Sequence, residues 1–311
     1  MATNVPKLMH ESSNKIAEVF APAKINLCLI VGPRRHDGFH PICSLMEKIK
    51  LFDTLQTMPE AEGTGIRLTG SGLPLGIASG ENIVMRAARA LEREAGRKLD
   101  VGIELRKEIP VAAGLGGGSS DAAAILKLLV FHLDLDVPPE RLAALALSLG
   151  ADVPFFLAPG PQLAGGIGEE LEPLAGLPDY ALVLVKPAAS LSTAAVYEAF
   201  DRQAGGVHDF DARCRRIREK IGALATAGAA AGPEALVGLM ENDLEPAAAE
   251  LFPELGAIKQ QIMETGALAA RMSGSGSSLF GIFPDLRAAR AAAGALAESC
   301  PQVWAVEPLR V

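Results

Sequence analysis

Pro110-Val-Ala-Ala-Gly114-Leu-Gly116-Gly117-Gly118-Ser119-Ser120-Asp121 runs at once into Ala122-Ala-Ala-Ile125-Leu126. Glycine reaches positive φ without strain and lets a ligand approach the main chain closely. The helix expected from Ala122 onward presents unpaired N–H groups and a partial positive charge at its start. A glycine-rich turn opening a helix is a site for phosphate. Upstream, Val101 to Leu105 alternates as a short strand and leads through Lys107 to Pro110, so the loop lies between a strand and a helix. That flanking leaves little room for the reading of a flexible glycine linker.

The loop fails the commoner phosphate patterns. A Walker A loop needs Lys-Ser/Thr after its last glycine, and Gly118 is followed by Ser119-Ser120. A dinucleotide fingerprint starting at Gly114 needs a glycine at position 119, which is serine. A nucleophile elbow needs a serine between two glycines at a spacing found in neither glycine loop. The residues therefore point to a nucleotide-using phosphotransferase or to a non-catalytic nucleotide binder, with any positive charge and base supplied from elsewhere.

Working outward, Glu18 to Val31 reads as a strand with Ile25, Leu27, Leu29 and Val31 on one face and Lys24, Asn26 and Cys28 on the other. By surface habit, a lone lysine there points to solvent. A polar loop with an Asp37-Gly38 turn carries Phe39 and His40, and a strand from Ile42 to Leu55 follows. By itself His40 reads as a surface histidine. A helix covers Glu81 to Leu91, and another runs from Pro138 to a stop at Gly150. Asp152 follows that stop and reads as a cap or turn residue. Residues 158–166 look like a crossover between domains. Ser192-Thr193 to Phe200, containing Tyr197, has a capping signal and then a helical pattern. A mobile insertion or loosely held helix is expected from Gln203 to Pro233. A second glycine-serine loop, Met272-Ser-Gly274-Ser275-Gly276-Ser-Ser278, passes into a strand, and an alanine-rich helix and a last strand close the chain.

With 311 residues the first expectation is two domains, set at 18–162 and 163–311 after a disordered leader, 1–17. The net charge of −8 argues against a general binder of nucleic acid or membrane surfaces. Cys28, Cys43, Cys214 and Cys300 are scattered without CxxC spacing, as expected of reduced thiols in a cytoplasmic protein. No carboxylate or histidine cluster has metal-ligand spacing. No protein partner is evident.

The loop Pro110 to Ser120 resembles the ATP-phosphate loop of the GHMP small-molecule kinases. Ala21-Pro-Ala-Lys24-Ile-Asn26-Leu27 resembles their first motif, and Met272 to Ser278 their third. Within the superfamily, Gly150-Ala-Asp152-Val-Pro154-Phe-Phe156 and Asp37-Gly-Phe39-His40 are similar to the branch acting on a cytidyl diphosphate alcohol, rather than on homoserine or mevalonate. The five segments occur in the family's order. The resemblance implies an α+β fold of two lobes, the first like ribosomal protein S5 domain two and the second ferredoxin-like, with donor and acceptor meeting between them. It implies ATP with Mg²⁺ as donor and a small cytidyl diphosphate substrate. Lys24 and Asp152 match the catalytic pair, with Asp152 as base. Pro110, Gly114, Leu115, Gly116, Gly117, Gly118, Ser119 and Ser120 match ATP contacts, and Asn82 and Lys107 match positions near adenine. Asn26, Phe39, His40, Thr193, Tyr197, Gly274, Ser275 and Gly276 match the substrate side, with Phe39 and Tyr197 against the base and His40 hydrogen-bonding it. Mg²⁺ is expected to ride mainly on the ATP phosphates, with Ser119 as the one protein oxygen named for it and helix capping as that serine's other role.

Overall fold

The computed structural model describes residues 9–11, 16–72, 81–203, 209–227 and 231–310. The chain divides into two compact units. The first takes residues up to 23, then 51–111 and 116–159; the second takes 24–50, 112–115 and 160–311. These are not the continuous stretches 18–162 and 163–311. Two long strands, β2 (Ala17–Val31) and β3 (Ile42–Pro59), each pass from one unit into the other, as does the glycine loop.

In the first unit the strands lie in the order β1-β2-β3-β5-β4, with β1 at Met9–Glu11, β4 at Ile66–Gly72 and β5 at Val101–Lys107. β1 pairs antiparallel with the start of β2, Met9 opposite Val19. The expected leader is corrected there: Met9–Glu11 and Ala17 belong to strands, while residues 1–8 and 12–15 of the leader lie outside the described residues. β4 and β5 pair in parallel from Ile66 opposite Val101, which requires a crossover connection. Helix α1 (Ile83–Glu94) lies within it, burying Val84, Ala87, Ala88 and Leu91 at helical spacing. It packs on α2 (Gly117–His132), which also packs on α3 (Pro139–Leu149). The alanines Ala122, Ala123 and Ala124 are all buried, so α2 is covered on most of its circumference.

The second unit contains a four-stranded antiparallel sheet in the order β11-β8-β10-β9. The strands are β8 (Ala181–Lys186), β9 (Ala269–Met272), β10 (Leu279–Phe283) and β11 (Gln302–Val306). With α4 (Thr193–Gln203) through α8 (Glu254–Glu264) before β9 and α9 (Leu286–Leu296) before β11, this is a β-α-β-β-α-β arrangement of ferredoxin type. Its core joins Val183, Val185, Met272, Leu279 and Phe283 to Val196, Ala199, Ala248 and Leu255.

The stretch 158–166, expected to be a crossover between domains, carries the chain from the first unit into the second between residues 159 and 160. It also begins a hairpin, β6 (Gln162–Gly165) with β7 (Glu170–Pro173), and β6 pairs with the first part of β3. The segment expected to be loosely held contains α5, an 18-residue helix from Phe210 to Ala227. Ile217, Ile221 and Leu224 bury one stripe of it, each contributing about 1.5–3 kcal/mol. The Arg213 guanidinium adds bonds to Asp243 and Glu241. Charged residues around Arg215 and Arg216 mask that stripe in the sequence, and residues 204–208 and 228–230 of the segment lie outside the described residues.

Candidate active site

The glycine loop is built from both ends. Gly116 is the N-cap of α2 with φ 68° and ψ 15°, in the left-handed region, and its carbonyl accepts from Ser120 N at 2.9 Å. The N–H groups of Gly117, Gly118 and Ser119 precede that first helical bond and are available to an anion. Ser119 is not the cap expected of it: the cap is a glycine, with no side-chain bond. A Cβ on Gly117 would meet Ile109 Cγ2 at 3.0 Å and Lys107 Nζ at 3.3 Å, so the lysine head lies directly beneath the loop.

That head is committed. Lys107 bonds the carboxylates of Asp53 and of Asp121, the latter at 2.7 Å. Asp53 also accepts from the backbone N–H groups of Glu108 at 2.6 Å and Ile109 at 2.9 Å, which fixes the exit of β5 toward Pro110. Burial of Lys107 lowers its pKa, but Asp121 and Asp53 outweigh that and hold it above the ordinary lysine value. Burial pushes the Asp121 carboxyl well up; Lys107 opposes this and Asp53 adds to it. Asp121 Oδ1 and Ser120 Oγ, both buried, have no hydrogen-bond partner among the described residues. Asn82 is also buried here and caps α1, accepting from Val84 N at 2.9 Å. Asp152 is half-buried in the turn between α3 and a short 3-10 turn, Pro154–Phe156.

In the second unit three motifs converge. Lys24 is 5% exposed, against the surface reading, and donates to Asn26 Oδ1 at 2.6 Å. Asn26 donates to Ser44 Oγ at 2.7 Å, and Ser44 to the Cys28 carbonyl at 2.7 Å. The Lys24 N–H donates to the Leu115 carbonyl at 2.9 Å, which seats the loop on β2. Gly114, with φ 74°, packs on the second glycine-serine loop: its carbonyl accepts from Ser273 Oγ at 3.0 Å, and the Ala113 carbonyl from Ser278 N at 3.2 Å. A Cβ on Gly274 would meet the Gly114 carbonyl at 3.2 Å and Asn26 Oδ1 at 3.3 Å. Gly276 also needs positive φ, at 84°. Thr193 Oγ1 lies 2.8 Å from Ser275 Oγ, joining the start of α4 to the same loop.

Phe39 is 57% exposed, while His40 beside it is buried rather than on the surface. His40 Nδ1 donates to the Gly32 carbonyl at 2.9 Å, and Nε2 lies 3.2 Å from Asp201 Oδ1. Its ring packs on Tyr197, centroids 5.2 Å apart. His40, expected to hydrogen-bond the base, thus has a protein partner at each ring nitrogen.

The family model for the GHMP kinases N terminal domain matches residues 82–160, and that for the GHMP kinases C terminal matches residues 217–302. The 4-diphosphocytidyl-2-C-methyl-D-erythritol kinase of Syntrophotalea carbinolica is 42% identical over 290 residues, covering 93% of this chain and 98% of the relative. The chain belongs to the GHMP kinase family. A second relative of the same name, from Rhizobium etli, is 43% identical over 90% of each chain. A crystal structure of 4-(cytidine 5'-diphospho)-2C-methyl-D-erythritol kinase superposes with a TM-score of 0.76 at 36% identity, covering 94% of this chain and 98% of that one. Homoserine kinase from Cytophaga hutchinsonii shares the fold, with a TM-score of 0.74 at 19% identity, covering 97% and 98%.

Several residues that shape this GHMP kinase's site carry no motif that singles them out in the sequence. Asn242 donates to the carbonyls of Met272 and Gly274, both at 2.8 Å, and so sets the second loop. Asp53 and Asp121 hold Lys107, and Ser44 continues the chain from Lys24. Only Asp121 has a local signal, as the residue closing the glycine-serine run.

Proposed function

We propose that this GHMP kinase transfers the γ-phosphoryl group of ATP to the 2-hydroxyl of 4-diphosphocytidyl-2-C-methyl-D-erythritol, a step of the non-mevalonate route to isoprenoid precursors. The observation that carries this reading is the 42% identity to a relative of that name over 98% of the relative's length.

The phosphate cradle fits the donor. Gly116 caps α2 in the left-handed region, so the first amides of α2 have no partner within the helix, and a side chain on Gly117 would crowd Ile109 and Lys107. Phosphoryl transfer asks chiefly for positioning and for stabilisation of charge on the transferred group, which main-chain amides and a lysine supply. Among the described residues no group of three or more His, Cys, Asp or Glu could hold a metal ion. Mg²⁺ is assigned to the ATP phosphates, where it would neutralise charge. Asp152 is assigned as the base that takes the proton of the acceptor hydroxyl. Lys24, anchored through Asn26 and Ser44 with its stem fixed on β2, is assigned to favour the ionised aspartate and to steady developing charge. Phe39 and Tyr197 are assigned to the cytosine end.

The test is ADP release with the cytidyl substrate, set against the same assay with homoserine and with mevalonate. Turnover is expected with the cytidyl substrate alone. Folded protein that binds ATP but never phosphorylates that substrate would sink the reading. Asp152→Ala should lose turnover while keeping ATP binding; unchanged transfer would remove Asp152 as the base.

A further inference from the structure

Three residues of α4 fall on one face: Tyr197, Phe200 and Asp201, at i, i+3 and i+4. All three meet His40. Tyr197 lies against the ring at 5.2 Å with a tilt of 38°, and Phe200 meets it edge-on at 5.8 Å and 79°. Asp201 Oδ1 is 3.2 Å from Nε2, and the opposite nitrogen is tied to the Gly32 carbonyl. Asp201 has a second task. Its Oδ2 accepts from Arg34 Nη1 at 3.4 Å, and Arg34 Nε donates to the Gly38 carbonyl at 3.3 Å. A single carboxylate thus holds the loop from Gly32 to His40 at its start and at its end.

Within that loop the backbone of Phe39 is also fixed. Its N–H donates to Asp37 Oδ1 at 3.1 Å, and its carbonyl accepts from Arg35 N at 2.7 Å. A large aromatic ring is left bare on a backbone with little freedom. Such a ring has already given up the entropy that stacking on a flat ligand would otherwise cost.

We infer that Asp201 is a positioning residue for nucleobase recognition, acting through His40 and Arg34 to hold Phe39 ready to stack on the cytosine of the substrate. The inference rests on the cytidyl-kinase reading. It assigns His40 the role of a strut between β2 and α4, and it places the control of substrate affinity on a residue that does not touch the substrate.

Asp201→Asn removes the charge and keeps the shape. It should raise the KM for the cytidyl substrate about tenfold, the scale of one charge-assisted hydrogen bond. It should leave kcat and the KM for ATP within about twofold, well below the tenfold step of one such bond. Binding of cytidine diphosphate alone, measured by calorimetry, should weaken in parallel, and Asp201→Glu should restore most of both losses. A merely structural role would move the KM for ATP and kcat as well, and that result overturns the inference. So does an Asn variant with unchanged cytidyl KM. Should Asp201→Asn melt early, Arg34→Ala is the deciding variant, because its side chain is largely exposed and its loss spares the core. A rise in cytidyl KM alone supports the inference, and no rise refutes it. Wild-type protein inactive on the cytidyl substrate but active on another alcohol would instead refute the functional reading.

Discussion

The buried cluster under the glycine loop holds one lysine against two carboxylates, and its charge state can be tested directly. Asp53 is met by three donors, Lys107 and two backbone amides, whereas Asp121 is met by one donor, Lys107, and keeps a bare Oδ1. Asp121, 2% exposed, is therefore the carboxyl that takes a proton, in keeping with burial pushing it well above the ordinary range. The unfolded chain releases that proton near the ordinary aspartate value of 3.8. The stabilisation from holding it is complete below that pH and is lost as pH rises through the higher folded value. The loss runs at up to about 1.4 kcal/mol per pH unit within that window. Asp121→Asn has the same shape and no proton to lose. Urea unfolding at pH 5, 6, 7 and 8 should show the variant gaining on the wild type as pH rises, at up to that slope until the folded value is passed. Parallel stability profiles for the two proteins would refute the assignment. Lys107→Met removes the only cation of the cluster and should cost about 3–5 kcal/mol at neutral pH, as when one partner of a buried pair is deleted. Adding Asp121→Asn to it should recover part of that loss, because one fewer carboxylate is stranded.

Gly114→Ala combines a left-handed φ of 74°, costing about 1–2 kcal/mol, with a Cβ driven onto the Ser273 carbonyl and 3.0 Å from Gly276 N, adding about 1–3 kcal/mol. Thermal unfolding should fall accordingly and the KM for ATP should rise; a variant with wild-type melting and kinetics would mean that the two loops do not pack as described. Burial raises the thiols of Cys28 to about 12, Cys43 to about 11 and Cys214 to about 12. At pH 8 about one in a thousand or fewer of each is thiolate, so a disulfide reagent should label them slowly until urea is added, and rapid labelling of all three in the folded protein would contradict that burial.

The strand-loop-helix at Val101 to Ile125 is legible in the sequence because each part carries a local signal: alternation, then glycines, then helix formers. The same holds for β2, whose period-two pattern alone puts Lys24 and Asn26 on one face. The pattern cannot say that this face is covered too, so Lys24 reads as a surface lysine. Its burial depends on the loop carbonyl at Leu115 and on Asn26 and Ser44, partners that fold topology brings together. α5 is hidden for the opposite reason: Ile217, Ile221 and Leu224 keep helical spacing, but the arginines before them and Arg218, Glu219 and Lys220 between them dominate the composition. Asp201 is invisible because nothing in its neighbourhood marks it. Its meaning lies in His40, 161 residues earlier in the chain.

A glycine loop without its own lysine must be stiffened by its neighbours, because glycine lowers the cost of unusual geometry and raises the cost of keeping it. The bonds around Gly114 to Ser120 meet that need from two directions along the chain. On the Gly114 side the anchors are neutral and directional: the Lys24 N–H, the Ser273 hydroxyl and the Ser278 N–H, each bound to a loop carbonyl. On the Gly117 side the anchor is ionic and buried, a lysine head between two aspartates beneath the first turn of α2. Carbonyls turned into these anchors leave amides to face outward, which is the polarity an incoming phosphate requires. Lys107 offsets the Asp53 carboxylate, and Asp121, once protonated, adds no negative charge beneath the loop. The same feature that makes Asp121 costly to ionise therefore keeps the cluster from repelling an anion held by the amides. For that reason the pH profile of Asp121→Asn reports on the loop as well as on stability.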